Sequence, residues 1–248
     1  MKCRTFTAMI IGPRNTQEDA ITDGRKVFQA DFLTRKNGFS ADTFMLAVCD
    51  GMGGHEGGEL ASMFVCEKLA EVHWKDVTKG VVMESLAGIQ QEAMFSLPRN
   101  SGTTVAGLLV NHKRAIAFNA GDSRIYRLTH DDMQYVSHDH SLIQEMIDQS
   151  LIKAESGSHH PLRNIIELGI GPAFQHAWSI KKIHLHETEL TFPSHYLLCS
   201  DGLTDILEEK EIHDLLMPNP VDNGTRLYNA LKQRTLRDNT SFVIVEIL

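Results

Sequence analysis

Cysteine, long apolar runs and positive charge are all scarce in this chain, and each shortage argues against a class of protein. Four cysteines, Cys3, Cys49, Cys66 and Cys199, are spread over 248 residues. None stands in a CxxC or similar metal-ligand spacing, and a chain this long does not need disulfide staples, so a reduced, cytoplasmic protein is expected. No segment reaches the roughly 18 consecutive apolar residues of a membrane-spanning helix. The opening MKCRTFTAMIIGPRN has basic residues before apolar ones, but the apolar stretch is too short and interrupted for a signal peptide. Lys and Arg number 24 against 32 Asp and Glu, a net charge of -8. That balance argues against a broad basic face for nucleic-acid phosphates, and neither nucleic acid nor membrane is an expected partner.

What is present is the composition of a soluble globular protein, 42% hydrophobic and 23% charged, with no solenoid repeat, low-complexity segment or linker. One domain spanning residues 1–248 is expected. TFMLAVC (43–49) is a short apolar run ending at Asp50-Gly51 and reads as a buried strand with a turn after it. From Gly58, Leu60, Phe64, Val65 and Leu69 recur at helical spacing; a second helix over 81–97 is stopped by Pro98. Residues 102–136 switch to short β runs separated by NHKR, GDS and THDD, as in an antiparallel meander. Helical spacing returns over 141–152, and 150–164 reads as a loop or flap. Tyr196–Cys199 is another apolar strand, running into Ser200-Asp201-Gly202. Helices are expected around 208–216 and 222–236, and SFVIVEIL closes the chain as a strand. This order fits two sheets packed face to face with helices on their outer faces.

MLAVCDG and YLLCSDG both set an apolar strand directly before Asp-Gly. Glu18, Asp19, Asp50, Asp122, Asp201 and Asp238 all lie beside turn chemistry, and singly each reads as an ordinary turn residue. Together they repel unless a cation gathers them. Magnesium and manganese prefer such oxygen ligands. Two divalent ions about 4 Å apart can share a carboxylate and activate a water for in-line attack on phosphorus. Arg14 is either a planar fork for two phosphate oxygens or the partner of Glu18 in a surface ion pair.

Eight ordered blocks decide between these readings: RNTQEDA, VCDGMGGHEGGELAS, SGTTVAGLLV, NAGDSRIYRL, HDHS, HPLRNIIELGIG, LLCSDGLTDIL and RDNTSFVIV. In them the chain resembles the metal-dependent protein phosphatases of the type 2C class, in particular their compact bacterial members. The resemblance implies an α+β fold, an αββα four-layer sandwich of two mostly antiparallel sheets flanked by helices. It also implies hydrolysis of phosphoserine and phosphothreonine by a metal-bridging water or hydroxide, without a covalent phosphoenzyme. Two Mg2+ or Mn2+ ions would be bound, with a weaker third. Asp50 would bridge the pair and be catalytic, Gly51 would lend its carbonyl, and Asp201 and Asp238 would complete the first site. Asp19 would also serve the metals, Glu18 would act through water, and Asp122 with Asp201 would serve the third ion. Arg14 takes the substrate-phosphate role and counts as catalytic. Partners would be a phosphorylated Ser/Thr protein and an opposing Ser/Thr protein kinase.

Gln17 stands where the family usually has Asn. Met52 stands where some relatives carry a histidine, which leaves water to protonate the leaving alkoxide. His55 is either near the site or in solvent. Asp139 and His140 read as structural, and Cys49 and Cys199 as packing residues. The rival reading is a nucleotide-binding loop, because Gly51, Gly53 and Gly57 lie between a strand and a helix; Asp50 at its mouth disfavours an anion.

Overall fold

The computed structural model describes residues 1–53, 57–153 and 160–248. His55, His159 and the middle of the expected 150–164 flap lie outside the described residues. In chain order the elements are β1 (Lys2–Ile10), β2 (Asp19–Thr22), β3 (Val27–Phe28), β4 (Phe32–Ser40), β5 (Thr43–Met52), α1 (Gly58–Glu71), α2 (Lys79–Ser96), β6 (Gly102–Thr103), β7 (Val105–Asn111), β8 (Arg114–Ala120), β9 (Arg124–Leu128), β10 (Met133–Tyr135), α3 (Leu142–Asp148), β11 (His184–Glu189), β12 (Ser194–Cys199), α4 (Asp201–Thr204), α5 (Glu209–Leu216), α6 (Pro220–Lys232) and β13 (Thr240–Ile247).

The strands form two sheets, one ordered β10-β9-β12-β13-β1-β4 and the other β11-β8-β7-β5-β2-β3, with β6 paired to β5. Every strand pairing is antiparallel. The layering can be followed along β5, because successive strand side chains point to opposite faces. Met45, Ala47 and Cys49 join the apolar cluster of α1 and α2, which includes Val65, Leu69 and Leu86. Leu46 and Val48 join the cluster between the sheets, with Leu108, Ile125, Leu198 and Val243. Both faces of β5 are therefore covered, which is why its sequence runs apolar without alternation. On the far side Phe6, Leu197, Phe242 and Ile244 pack with Ile212 and Leu216 of α5 and Leu227 and Leu231 of α6. Helix, sheet, sheet, helix is the expected four-layer sandwich.

The sequence reading misses several elements. β4 alternates between exposed and half-buried positions along FLTRKNGFS and pairs only with β1 at the sheet's rim, so it carries little apolar signal. α2 begins two residues earlier than expected, where the Thr78 hydroxyl accepts from the Val81 N–H and caps it. α3 stops at Asp148, short of the expected 152, and Ser150 follows in the left-handed region at φ 56°. Asp201 is the first residue of α4, a helix start where the sequence suggests a simple turn.

Gly224 sits inside α6, where glycine weakens a helix relative to alanine. Its compensation is proximity, because a Cβ there would collide with the buried Phe6 ring of β1. Gly224→Val should therefore lift α6 from the sheet and cost about 1–3 kcal/mol, the usual range for an overpacked core, read as a lower urea midpoint at unchanged slope.

Candidate metal centre

The acidic residues reach one place from both sheets. β2 and β5 pair so that Asp19 lies directly opposite Asp50. In the other sheet Asp201 follows β12, and Asp238 lies in the approach to β13, its neighbour in the sheet. Asp122 occupies the crossing from β8 to β9, which belong to different sheets. The charges acting on Asp50 are those of Asp19, Asp201, Asp122 and Asp238.

Buried hydroxyl groups support these positions. The Thr104 hydroxyl accepts from the Asp50 N–H at 3.0 Å and lies 2.7 Å from the Ser123 hydroxyl, while the Thr103 hydroxyl donates to the Asp50 carbonyl at 2.8 Å. Ser200, at the end of β12, donates to a carboxylate oxygen of Asp19 at 2.9 Å and accepts from the Ser241 N–H at 3.0 Å. One hydroxyl thus ties the two sheets together at the centre. Gly51 has backbone on both sides, since a Cβ there would strike the carbonyls of Gly58 and Glu18. Thr103, Thr104, Ser123 and Ser200 have no assigned role in the sequence reading. The available signal is that each lies inside one of the eight ordered blocks, within two residues of a carboxylate or glycine.

Electrostatically the site is strained. Burial raises every one of the following groups first, and neighbouring carboxylates add to it: Asp19 is pushed up to about 7 and Asp201 to about 6, while Asp50 and Asp122 rise well above the ordinary range. Glu18 is raised by burial, against the nearby charge of Arg14. One carboxylate oxygen each of Asp19, Asp122 and Asp201 is buried without a hydrogen-bond partner among the described residues. Orphaned oxygens of this kind are costly unless a cation or water meets them. Among the described residues no three acidic, histidine or cysteine side chains form a ready-made ion cage. The donors are carboxylate and carbonyl oxygens, the chemistry that hard cations such as Mg2+ take alongside water.

Arg14 pairs with Asp238 at 2.5 Å, not with Glu18, and its side chain is half exposed. A cavity of about 380 Å³ opens beside Asp122 and Asp201, walled by Arg124, Asp139, Ser141, Arg163 and Asp205. Arg124 grips Asp139 through Nε at 3.0 Å and a terminal nitrogen at 2.7 Å, and the Tyr135 hydroxyl donates to Asp139 at 2.6 Å. This satisfied network fits the structural reading of Asp139. His140 also fits, with Nε2 2.7 Å from the Lys182 carbonyl. Cys49 and Cys199 are fully buried, and burial raises both thiols, Cys199 to about 12, as suits packing residues rather than nucleophiles.

Comparison with known proteins gives one consistent answer. The family model described as "Protein phosphatase 2C" matches residues 28–239. Protein phosphatase PhpP of Streptococcus pneumoniae is 31% identical over 183 residues, covering 69% of this chain and 72% of its own. The crystal structure of a serine/threonine phosphatase from Staphylococcus aureus superposes with a TM-score of 0.81 at 26% identity, covering 98% of this chain and 94% of that one. The catalytic domain of the serine/threonine protein phosphatase PstP, solved with two manganese ions, shares the fold at a TM-score of 0.75, with 23% identity and full coverage of both chains.

The raised carboxyl groups set the pH dependence of the metal-free chain. Between about pH 4, where free Asp titrates, and about 7, where Asp19 titrates in the fold, the folded chain holds protons that the unfolded chain releases. These groups therefore make the metal-free protein less stable as pH rises through that window. Manganese at a hundredfold excess over its dissociation constant should raise the melting temperature at pH 7.5 by about 5–10 °C. The rise should shrink at pH 5, where protons compete for the same oxygens. Equal shifts at both pH values in differential scanning fluorimetry would contradict this account.

Proposed function

The chain belongs to the protein phosphatase 2C family, and we propose that it acts as a metal-dependent protein serine/threonine phosphatase on phosphoserine and phosphothreonine esters of protein substrates. The observation that carries this reading is the convergence of buried carboxylates from both sheets, with orphaned oxygens and mutually raised affinities for positive charge. When bound, two Mg2+ or Mn2+ ions supply an activated water and neutralise charge on the phosphoryl oxygens, so no covalent phosphoenzyme is needed. Asp50, the Gly51 carbonyl, Asp201 and Asp238 would hold the principal pair, Asp19 would contribute beside them, and Glu18 would act through water. Asp122 with Asp201 would hold a weaker third ion at the mouth of the cavity.

Arg14 would receive the substrate phosphate with its planar fork, its half-exposed position being compatible with meeting a ligand. Met52 carries no exchangeable proton and is no donor to the leaving alkoxide, a role that would fall to water. The nucleotide-binding alternative is disfavoured at the loop after β5, where Asp50 and its acidic neighbours would repel a diphosphate. Three apolar clusters share the two sheets, which supports one domain over residues 1–248. None of the described helices is long and apolar enough to cross a membrane. A cytoplasmic location, an opposing Ser/Thr protein kinase, and the absence of nucleic-acid or membrane partners complete the proposal.

Hydrolysis of a phosphothreonine peptide should require added manganese or magnesium and stop in excess chelator. Asp50→Asn and Asp201→Asn should abolish turnover yet raise the melting temperature of the metal-free chain, since each removes a repelling charge. Full activity in chelator, or an Asn variant as active as the parent, would refute the proposal. Arg14→Ala should lower kcat/KM by about 10–100-fold, as expected for loss of a charge-assisted contact.

A further inference from the structure

The segment between β1 and β2, IGPRNTQE, carries both Arg14 and Glu18, and besides nearby partners such as Ala30, Asp31, Gly51 and Ser62 it is held by a residue from the opposite end of the chain. Asn239 is 2% exposed and uses its whole amide on this segment. Its Oδ1 accepts from the Glu18 N–H at 2.8 Å, and its Nδ2 donates to the carbonyls of Ile11 at 2.8 Å and Thr16 at 3.2 Å. These three bonds bracket Arg14 on both sides. A fourth bond, from the Asn239 N–H to the Asp238 carboxylate at 2.8 Å, fixes the partner of the Arg14 guanidinium in the same turn. Gly12 allows the two pieces to meet, because its φ of +64° is left-handed and a Cβ there would collide with the Asp238 carbonyl.

The side-chain amide is suited to this geometry. An Asn amide offers one acceptor edge and two donors in a plane, which is what one N–H and two carbonyls from a turning loop require. Aspartate keeps the acceptor but loses both donors, and alanine removes the partner of all three part-buried backbone groups. The Arg14 side chain is long and half exposed, so its aim depends on how firmly its backbone is held.

We propose that Asn239 is a positioning residue for substrate phosphate: it orients the Arg14 loop and so acts on catalysis through Arg14 rather than through the metal ligands. This rests on the phosphate role of Arg14 proposed above. The test is a double-mutant cycle on the full chain with manganese and a phosphothreonine peptide, paired with calorimetric titration of manganese alone. Asn239→Ala should raise KM by about tenfold with kcat within about threefold of the parent. In an Arg14→Ala background it should add less than about twofold, because the residue through which it acts is already gone. Manganese affinity should stay within about threefold of the parent, which a general loosening of the Asp238 turn would not permit.

Asn239→Asp, which keeps the size and the acceptor, should reproduce the KM change, and it serves as the test if the alanine variant does not fold. Additive losses in the cycle, or a fall in manganese affinity that matches the loss of activity, would overturn the proposal while leaving Arg14 in its role. An unchanged KM in Arg14→Ala would remove the phosphate role itself and this proposal with it. Failure of both Asn239 variants to fold would make Asn239 a stability residue and also overturn it.

Discussion

Crowding of like charge at one end of a two-sheet sandwich is the constraint on which the rest of this structure depends. Asp19 and Asp50 face each other across a strand pair, and Asp201, Asp238 and Asp122 arrive from the other sheet and from a crossing between sheets. Bringing them together opposes folding, since each is partly or wholly removed from water beside others of the same sign. The apolar clusters must outweigh that cost. They lie on both faces of both sheets and include the large buried side chains of Phe6, Phe118, Tyr126, Tyr196 and Phe242.

The polar surroundings follow from the same constraint. A carboxylate that must meet a cation cannot be neutralised in advance by a buried lysine or arginine. It is held instead by neutral donors and by its own backbone: Ser200 on Asp19, and Thr103 and Thr104 on the main chain of Asp50. Such contacts fix direction without cancelling charge. Of the arginines Arg124 and Arg14, one is committed to a residue outside the ligand set and the other meets a ligand only at the exposed rim. Arg124 is committed to Asp139, and Arg14 meets Asp238 at the exposed rim. Lost stability is thereby converted into affinity for positive charge, the usual relation between a functional site and the scaffold that supports it.

Much of the fold was legible because long elements with covered faces announce themselves. β5, β7, β8, β12 and β13 are apolar runs, α1 and α2 show helical spacing, and the Asp-Gly pairs mark strand ends. Elements whose placement depends on partners were not legible. β4 has a polar middle, Thr34 to Asn37, and is a strand because β1 offers it a full register from Lys2↔Ser40 to Ile10↔Phe32. α3 looked longer than it is, since helical spacing persists in the sequence past the backbone reversal at Ser150. For Arg14, spacing proposed Glu18 as partner, whereas the fold supplies Asp238, more than two hundred residues away in sequence.

The sequence alone determined the inventory: which carboxylates exist, that they stand beside glycines and strand ends, and, through eight ordered blocks, which family they resemble. These are local or order-dependent properties, carried by propensity, turn chemistry and spacing. Tertiary structure decided which groups share a neighbourhood and on what terms. Only the fold sets Asp19 across from Asp50, leaves single oxygens of Asp19, Asp122 and Asp201 unpartnered among the described residues, and assigns Asn239 to the loop of Arg14. The physical reason is that burial, repulsion and hydrogen-bond satisfaction are properties of proximity, and proximity between residues two hundred positions apart is set by sheet register and layer packing, which no local pattern encodes.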